Sequence, residues 1–169
     1  MSVRLWYPQL DVYDAVRRMA ALLVAWKGRP PSKERLYIVD FFFANPPLLH
    51  RTHMPEDVRK VFNSLKVERP DKTFLSYPSG PILFQKMAEV QRQALQTLIG
   101  KGLIDLESLA SGEVIPSGPG RVLFSERMIR LVSESERQLL NFLASKFASI
   151  GEEDVIALRR STGLRRLSQ

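Results

Sequence analysis

The chain has 169 residues and no cysteine, and its 25 basic and 18 acidic side chains give it a net charge of +7. The absence of cysteine excludes disulfides, thiolate nucleophiles and metal sites with sulfur ligands. The length fits one domain, or two very small ones that share a core. The basic excess favours an acidic or nucleic-acid partner, because surface cations attract phosphates.

The first predicted helix begins after Asp11, a residue suited to capping, and runs to about Trp26. Its apolar residues recur at steps of three and four, which predicts one buried stripe. Arg17 and Arg18 lie outside that stripe, so we expect both guanidinium groups to be solvated on the polar face.

The second predicted helix is apolar on almost every side. Ser32 can cap its start, and it runs to about Asn45 with Asp40 as the main polar residue. A helix of this kind is buried either in the middle of its own fold or against a partner protein. Both possibilities are open from the sequence.

The middle of the chain predicts two more helices and a small β wing. Pro55 begins a third helix, and a long helix runs from Pro81 to about Lys101. Short apolar segments at Leu103–Ile104 and Glu113–Pro116 flank a polar loop, an order typical of the wing of a winged helix. Gly118-Pro119-Gly120 predicts a turn.

The last part of the chain predicts a helical block and a basic tail. Ser133 supplies capping chemistry for the block, and Gly151 ends it. A short helix follows over Glu152–Arg160. The expected fold is mainly α with a small β wing: a winged-helix-like helical domain of about six helices over residues 1–150. Residues 151–169 form a short helix and the basic C-terminal tail.

The residues that catalysis needs are scarce. His50 and His53 are the two histidines, and neither lies near a serine in a nucleophile motif or near a full set of metal ligands. No phosphate-binding glycine loop occurs in the sequence. We therefore expect no catalytic, cofactor-binding or metal site, and a protein that is not an enzyme.

Two groups of residues are candidates for binding. Trp6, Tyr7, Leu10 and Tyr13 lie at the start of the first helix, where tyrosine and tryptophan either anchor a protein interface or close a small core. The second group consists of the four arginines of the tail: Arg159, Arg160, Arg165 and Arg166. These either form a solvated end or contact DNA or an acidic partner. Reversing all four charges is expected to weaken DNA association and leave the fold intact.

The sequence also predicts where the protein resides. It has no apolar run near the length of a membrane span, and its N-terminal residues lack the pattern of a signal peptide. We expect a cytoplasmic protein that does not enter a membrane.

Three segments resemble the middle components of bacterial ABC three-component systems, the Lamassu-like anti-phage and anti-plasmid operons. The segments are YPQLDVYDAVRRMAALL, RLYIVDFFFANPPLL and LIGKGLIDLESLASGEVIPS, and the resemblance covers roughly residues 5 to 118. It rests on residues that pack and not on a catalytic signature.

The resemblance implies a small non-enzymatic adaptor subunit with winged-helix character and no cofactor. Its partners would be an SMC- or Rad50-like ATPase and an effector, possibly a nuclease. Double-stranded DNA would be bound through the complex and without sequence preference, because the helix Pro81–Lys101 has few basic residues for reading bases. The alternatives are a stand-alone winged-helix DNA-binding transcriptional regulator and an enzyme or enzyme inhibitor of unknown type.

Overall fold

The computed structural model describes residues 7–72 and 79–166, with Lys72 described by its backbone alone. Within these residues it contains eight α-helices. They are α1 (Val12–Ala25), α2 (Lys33–Ala44), α3 (Glu56–Ser64), α4 (Gly80–Gly100), α5 (Leu106–Ala110), α6 (Gly118–Leu123), α7 (Glu134–Phe142) and α8 (Val155–Thr162).

Short helical turns extend or connect these helices. Turns of 3-10 helix lie at Pro8–Leu10, Pro46–Arg51, Pro70–Lys72 and Ile129–Leu131, and π-helical turns continue α6 at Phe124–Met128 and α7 at Leu143–Phe147.

The predicted helix starts are confirmed where the capping chemistry is local. The Asp11 carboxylate accepts hydrogen bonds from the backbone N–H groups of the first turn of α1, and the Ser32 hydroxyl accepts one from Arg35. Ser133 and Glu136 form a reciprocal capping box at the start of α7. Each cap satisfies backbone N–H groups that would otherwise lack a partner.

Helix α2 lies at the centre of the hydrophobic core. Its apolar side chains are therefore buried within the protein's own fold and not against a partner protein. Phe41 and Phe42 are at most 2% exposed. Their rings meet Phe84 of α4 and Phe147 edge to face, at centroid distances of 5.6 and 5.4 Å. Helix α1 packs against α2 and α4. The core extends into α8 and the tail through Leu158 and Leu164.

The predicted winged helix is wrong. The described residues contain no β-strand, and Ile104 and Pro116 form one isolated antiparallel bridge where the wing was expected. Between them, Asp105 accepts a hydrogen bond from the N–H of Ser108 and starts helix α5. Val114 donates its N–H to Pro31 instead of to a neighbouring strand. The described part is all-helical, with eight helices in place of the six expected.

The predicted turn at Gly118-Pro119-Gly120 is also wrong, because these residues form the first turn of α6 under a cap from Ser117. Gly120 packs directly on the backbone of Leu103, and a Cβ atom at this position would overlap the Leu103 carbonyl oxygen. Glycine is therefore required here by close approach of two backbone segments.

Among the helices of the described residues, none has both the length and the apolar character that a membrane crossing requires.

Candidate partner interface and the buried charge network

An apolar surface lies at the start of α1, and we call Tyr7, Leu10 and Tyr13 the N-terminal surface. Tyr7 is 46% exposed, Leu10 41% and Tyr13 89%. Three exposed large apolar side chains within one short segment make this a candidate site for binding another molecule. Trp6, the fourth candidate, lies outside the described residues.

The backbone beneath the N-terminal surface is fixed by hydrogen bonds. Leu10 and Asp11 donate their N–H groups to the carbonyls of Tyr7 and Pro8, at 2.9 and 3.1 Å. The Asp11 carboxylate accepts the N–H of Tyr13 at 2.8 Å. A surface held in this way loses little conformational entropy when a partner binds.

Directly beneath this segment, Arg18 is buried and not solvated, which corrects the expectation for this residue. Its side chain is 2% exposed. Its Nε and Nη2 donate to the two carboxylate oxygens of Asp40 at 2.8 and 3.2 Å, and its Nη1 donates to Asp14 at 2.5 Å. Burial alone would lower the pKa of Arg18, but the two carboxylates outweigh it and leave the pKa above its ordinary value.

The buried network extends from Asp40 to the C-terminal tail. Gln91 of α4 donates to Asp40 at 2.9 Å and to the carbonyl of Tyr37 at 2.9 Å. The amide oxygen of Gln91 accepts a hydrogen bond from the Arg166 guanidinium, which also lies 3.9 Å from the ring centroid of Phe84. At the other end, Arg18 Nη1 lies 3.5 Å from the carbonyl oxygen of Pro8. The two ends of the described chain are thus joined through one polar network.

The structure divides the four tail arginines into two pairs. Arg159 and Arg166 have intramolecular partners. Arg159 forms a two-point ion pair with Glu34, and Arg166 donates to the Phe84 carbonyl at 2.8 Å. Arg160 and Arg165 are exposed and form no ion pair with another described residue. Whether they contact DNA is untested and stays a prediction, and they are the two tail arginines available for it.

Glu34 is the acidic residue that binds the tail, through the Arg159 side chain and the backbone N–H of Arg166. Burial acts to raise the pKa of its carboxyl, but the hydrogen bonds from the Arg159 side chain and the Arg166 N–H reverse that effect. The pKa of Glu34 therefore lies below its ordinary value. Because Arg159 and Arg166 contact other parts of the fold, we now expect that reversing all four arginines destabilises the protein and does not leave the fold intact.

The two histidines lie in different surroundings. His50 Nε2 lies 2.7 Å from the carbonyl of Val67, and its ring packs edge-on against Phe62. His53 is exposed. Within residues 7–72 and 79–166, no group of three or more histidine, aspartate or glutamate side chains is placed to hold a metal ion.

Residues 4–166 match a family model described as ABC-three component (ABC-3C) system Middle Component 5. The chain belongs to this family. The sequence resemblance to middle components is therefore confirmed. No curated protein and no solved structure matches the chain.

Membership in the Middle Component 5 family implies that this protein works with other components of a multi-component system. The family assignment identifies none of these components. It spans both ends of the described chain, so the N-terminal surface and the tail both belong to the family's domain and are not additions to it.

The sequence itself contains a signal for the buried network. Asp40 is the one acidic residue among the apolar positions of α2, and a carboxylate in such a setting requires a buried cation or several donors. Asp14 and Arg18 are four residues apart in α1, which places them on one helix face. Together these features pointed to Arg18 as an interior residue.

Proposed function

We propose that this middle component is a non-enzymatic adaptor subunit of a defence complex and binds an SMC- or Rad50-like ATPase through its N-terminal surface. The complex would act against phages or plasmids and couple DNA sensing to an effector, possibly a nuclease. The family assignment supports a role as one component of such a system.

The observation that carries the proposal is the exposure of Tyr13, a large aromatic side chain 89% exposed on a rigid helix. Tyrosine contributes strongly to protein interfaces because it buries much area with few rotatable bonds. Tyr7 and Leu10, exposed in the segment just before α1, supply further apolar area. A patch with this composition favours a protein partner over DNA, whose backbone is bound mainly by cations and hydrogen-bond donors.

DNA contact is assigned a secondary role in this proposal. Arg160 and Arg165 are exposed, and the surface cations give an attraction to phosphates that falls steeply with salt. A non-specific contact of this kind suits a subunit that meets DNA only within a larger complex. The alternative, a stand-alone winged-helix regulator, required a β wing, and the described residues contain no β-strand.

The test is co-purification of the tagged chain with the products of its neighbouring genes. Recovery of a large coiled-coil ATPase at a fixed stoichiometry supports the adaptor function, and DNA binding is then measured on the whole complex. A chain that purifies alone as a well-behaved dimer, with the ATPase left in the flow-through, contradicts it.

A further inference from the structure

A second surface, distinct from the N-terminal surface, runs along the exposed face of α4. Ile82, Gln85, Glu89 and Arg92 recur on this face at helical spacing and line two adjoining depressions that share Gln85. The face from Ile82 to Arg92 is about 15 Å long at 1.5 Å per residue. We call it the α4 groove.

The first depression has an apolar floor and a basic border. Pro81 and Ile82 are its apolar lining residues, which we call the floor, and Ile82 is 55% exposed. Lys86 and Arg165 lie at its border, and both are exposed. The Gln85 side chain donates to the Arg165 carbonyl at 2.8 Å, which fixes the tail against α4.

The second depression continues along α4 and reaches α2. Its wall includes Tyr37 and Ala88, and Lys33 lies at its border. Arg166 lies over the Tyr37 ring at 5.3 Å and contributes a further positive charge. The second depression therefore adds Tyr37 and Ala88 as apolar lining and Lys33 and Arg166 as cationic lining, beside the paired Glu89 and Arg92.

The positive charge of the α4 groove is only partly compensated, since Glu34 also attracts Arg165. Lys33, Lys86 and Arg165 form no ion pair with any other described residue. Of the nearby carboxylates, Glu89 is paired with Arg92 and Glu34 with Arg159. A ligand that supplies carboxylates to the borders and aliphatic side chains to the floor would satisfy both features of the groove.

We propose that the α4 groove binds an acidic segment of a partner protein, with aliphatic side chains placed on the floor around Ile82 and carboxylates facing Lys33, Lys86 and Arg165. An amphipathic helix with one apolar face can lie along a surface of this length. Such binding presupposes the adaptor role proposed above but not the identity of the ATPase.

An acidic peptide explains the groove better than DNA does. A DNA backbone would use the cations but would leave the exposed Ile82 side chain against a polar sugar–phosphate surface. A peptide buries that side chain, and burial of an aliphatic group is favourable whatever the salt concentration. The two ligands therefore predict different effects of removing Ile82 while keeping the charges.

The experiment measures binding of two fluorescent probes to the full chain by anisotropy. One probe is a short helical peptide of leucine and glutamate with all leucines on one face, and the other is a DNA duplex. The variants are Ile82→Ser, which removes apolar floor, and Lys86→Glu with Arg165→Glu, which reverses the border. Lys101→Glu, at the far end of the same helix, is the matched control.

The proposal requires that Ile82→Ser weakens peptide binding about tenfold and leaves duplex binding unchanged. The double reversal should weaken peptide binding by more than tenfold, and Lys101→Glu should have little effect. Absence of peptide binding to the unmodified chain overturns the proposal. So does an equal response of the peptide to all three variants, or binding of the duplex alone. These readouts do not depend on whether the ATPase binds the N-terminal surface.

Discussion

Arg18 and Asp40, 22 residues apart on α1 and α2, form a two-point ion pair in the interior of the protein, with N–O distances of 2.8 and 3.2 Å. Both side chains are at most 2% exposed. A buried pair of this kind adds little net stability over apolar residues, but loss of one partner leaves an uncompensated charge in the core. The pair also fixes how α1, and with it the N-terminal surface, lies on α2.

Replacing Arg18 should be far more harmful than replacing its neighbour. Arg18→Met is expected to lower the free energy of unfolding by about 3–5 kcal/mol, because Asp40 stays buried without its cation. Arg17→Met, which removes partly exposed contacts to Asp14 and Glu136, should cost about 1 kcal/mol or less. Denaturant unfolding of the two variants measures both values.

Adding Asp40→Leu to Arg18→Met should recover part of the lost stability, since the buried carboxylate is then removed. Equal losses for the Arg18 and Arg17 variants would show that the buried pair is not what holds α1 on α2.

Two glycines of α6 provide a direct test of close packing. Gly120→Ala places a methyl group against the Leu103 carbonyl and is expected to destabilise the protein by about 1–3 kcal/mol. Gly118→Ala meets nothing within 4 Å and should change stability by less than about 0.5 kcal/mol. Thermal unfolding of the pair is the measurement, and a harmless Gly120→Ala would contradict the contact between α6 and Leu103.

Local features of the fold could be predicted from the sequence, and long-range ones could not. The caps at Asp11, Ser32 and Ser133 were predictable because each side chain bonds to backbone within three residues. The burial of Arg18 was missed because its main partner is on another helix. The spacing of apolar residues in α1 placed Arg18 outside the buried stripe. Whether its side chain is buried depends on which other helices pack against that face of α1.

The predicted wing failed for a different reason. Leu103–Ile104 and Glu113–Pro116 are apolar and short, and short apolar runs do not separate strand from buried coil. The deciding signal was Asp105 with Ser108 three residues later, which form a cap and start a helix in the expected loop. For the candidate site, the sequence identified Tyr7, Leu10 and Tyr13 as candidates but could not decide whether they were exposed.

The two pairs of tail arginines should respond differently to charge reversal. Arg160→Glu with Arg165→Glu is expected to leave the melting temperature unchanged and to reduce DNA association, since both side chains are exposed. Arg166→Glu should lower the free energy of unfolding by about 2 kcal/mol or more, because contacts to Phe84 and Gln91 are lost. Unfolding curves and salt-dependent duplex binding test both statements. If the variant Arg160→Glu with Arg165→Glu binds DNA as the unmodified chain does, these two tail arginines do not contact DNA.

Glu34 predicts a pH dependence in the acid range. The pKa of Glu34 is lowered in the folded protein from its ordinary value of 4.5, so its contribution to stability is present above that pH and is lost as the pH falls through the lower folded value. Glu34→Gln should therefore be less stable than the unmodified chain near neutral pH, and the difference should shrink below about pH 4.

Melting temperatures across this pH range measure the effect of Glu34. Glu56→Gln, at an exposed residue that pairs with Lys60, is the control for loss of a carboxylate. A stability difference for Glu34→Gln that grows as the solution becomes more acidic would have the wrong sign and would contradict the proposed role of Glu34.

The proposed binding of the partner ATPase to the N-terminal surface is tested by measuring the affinity of the purified ATPase for surface variants of this chain. Tyr13→Ser is expected to weaken binding about tenfold or more, because an aromatic anchor is lost from the interface. Ile156→Ser on α8, where the side chain is 55% exposed, should bind as the unmodified chain does. Equal affinities for the unmodified chain and Tyr13→Ser would contradict the claim.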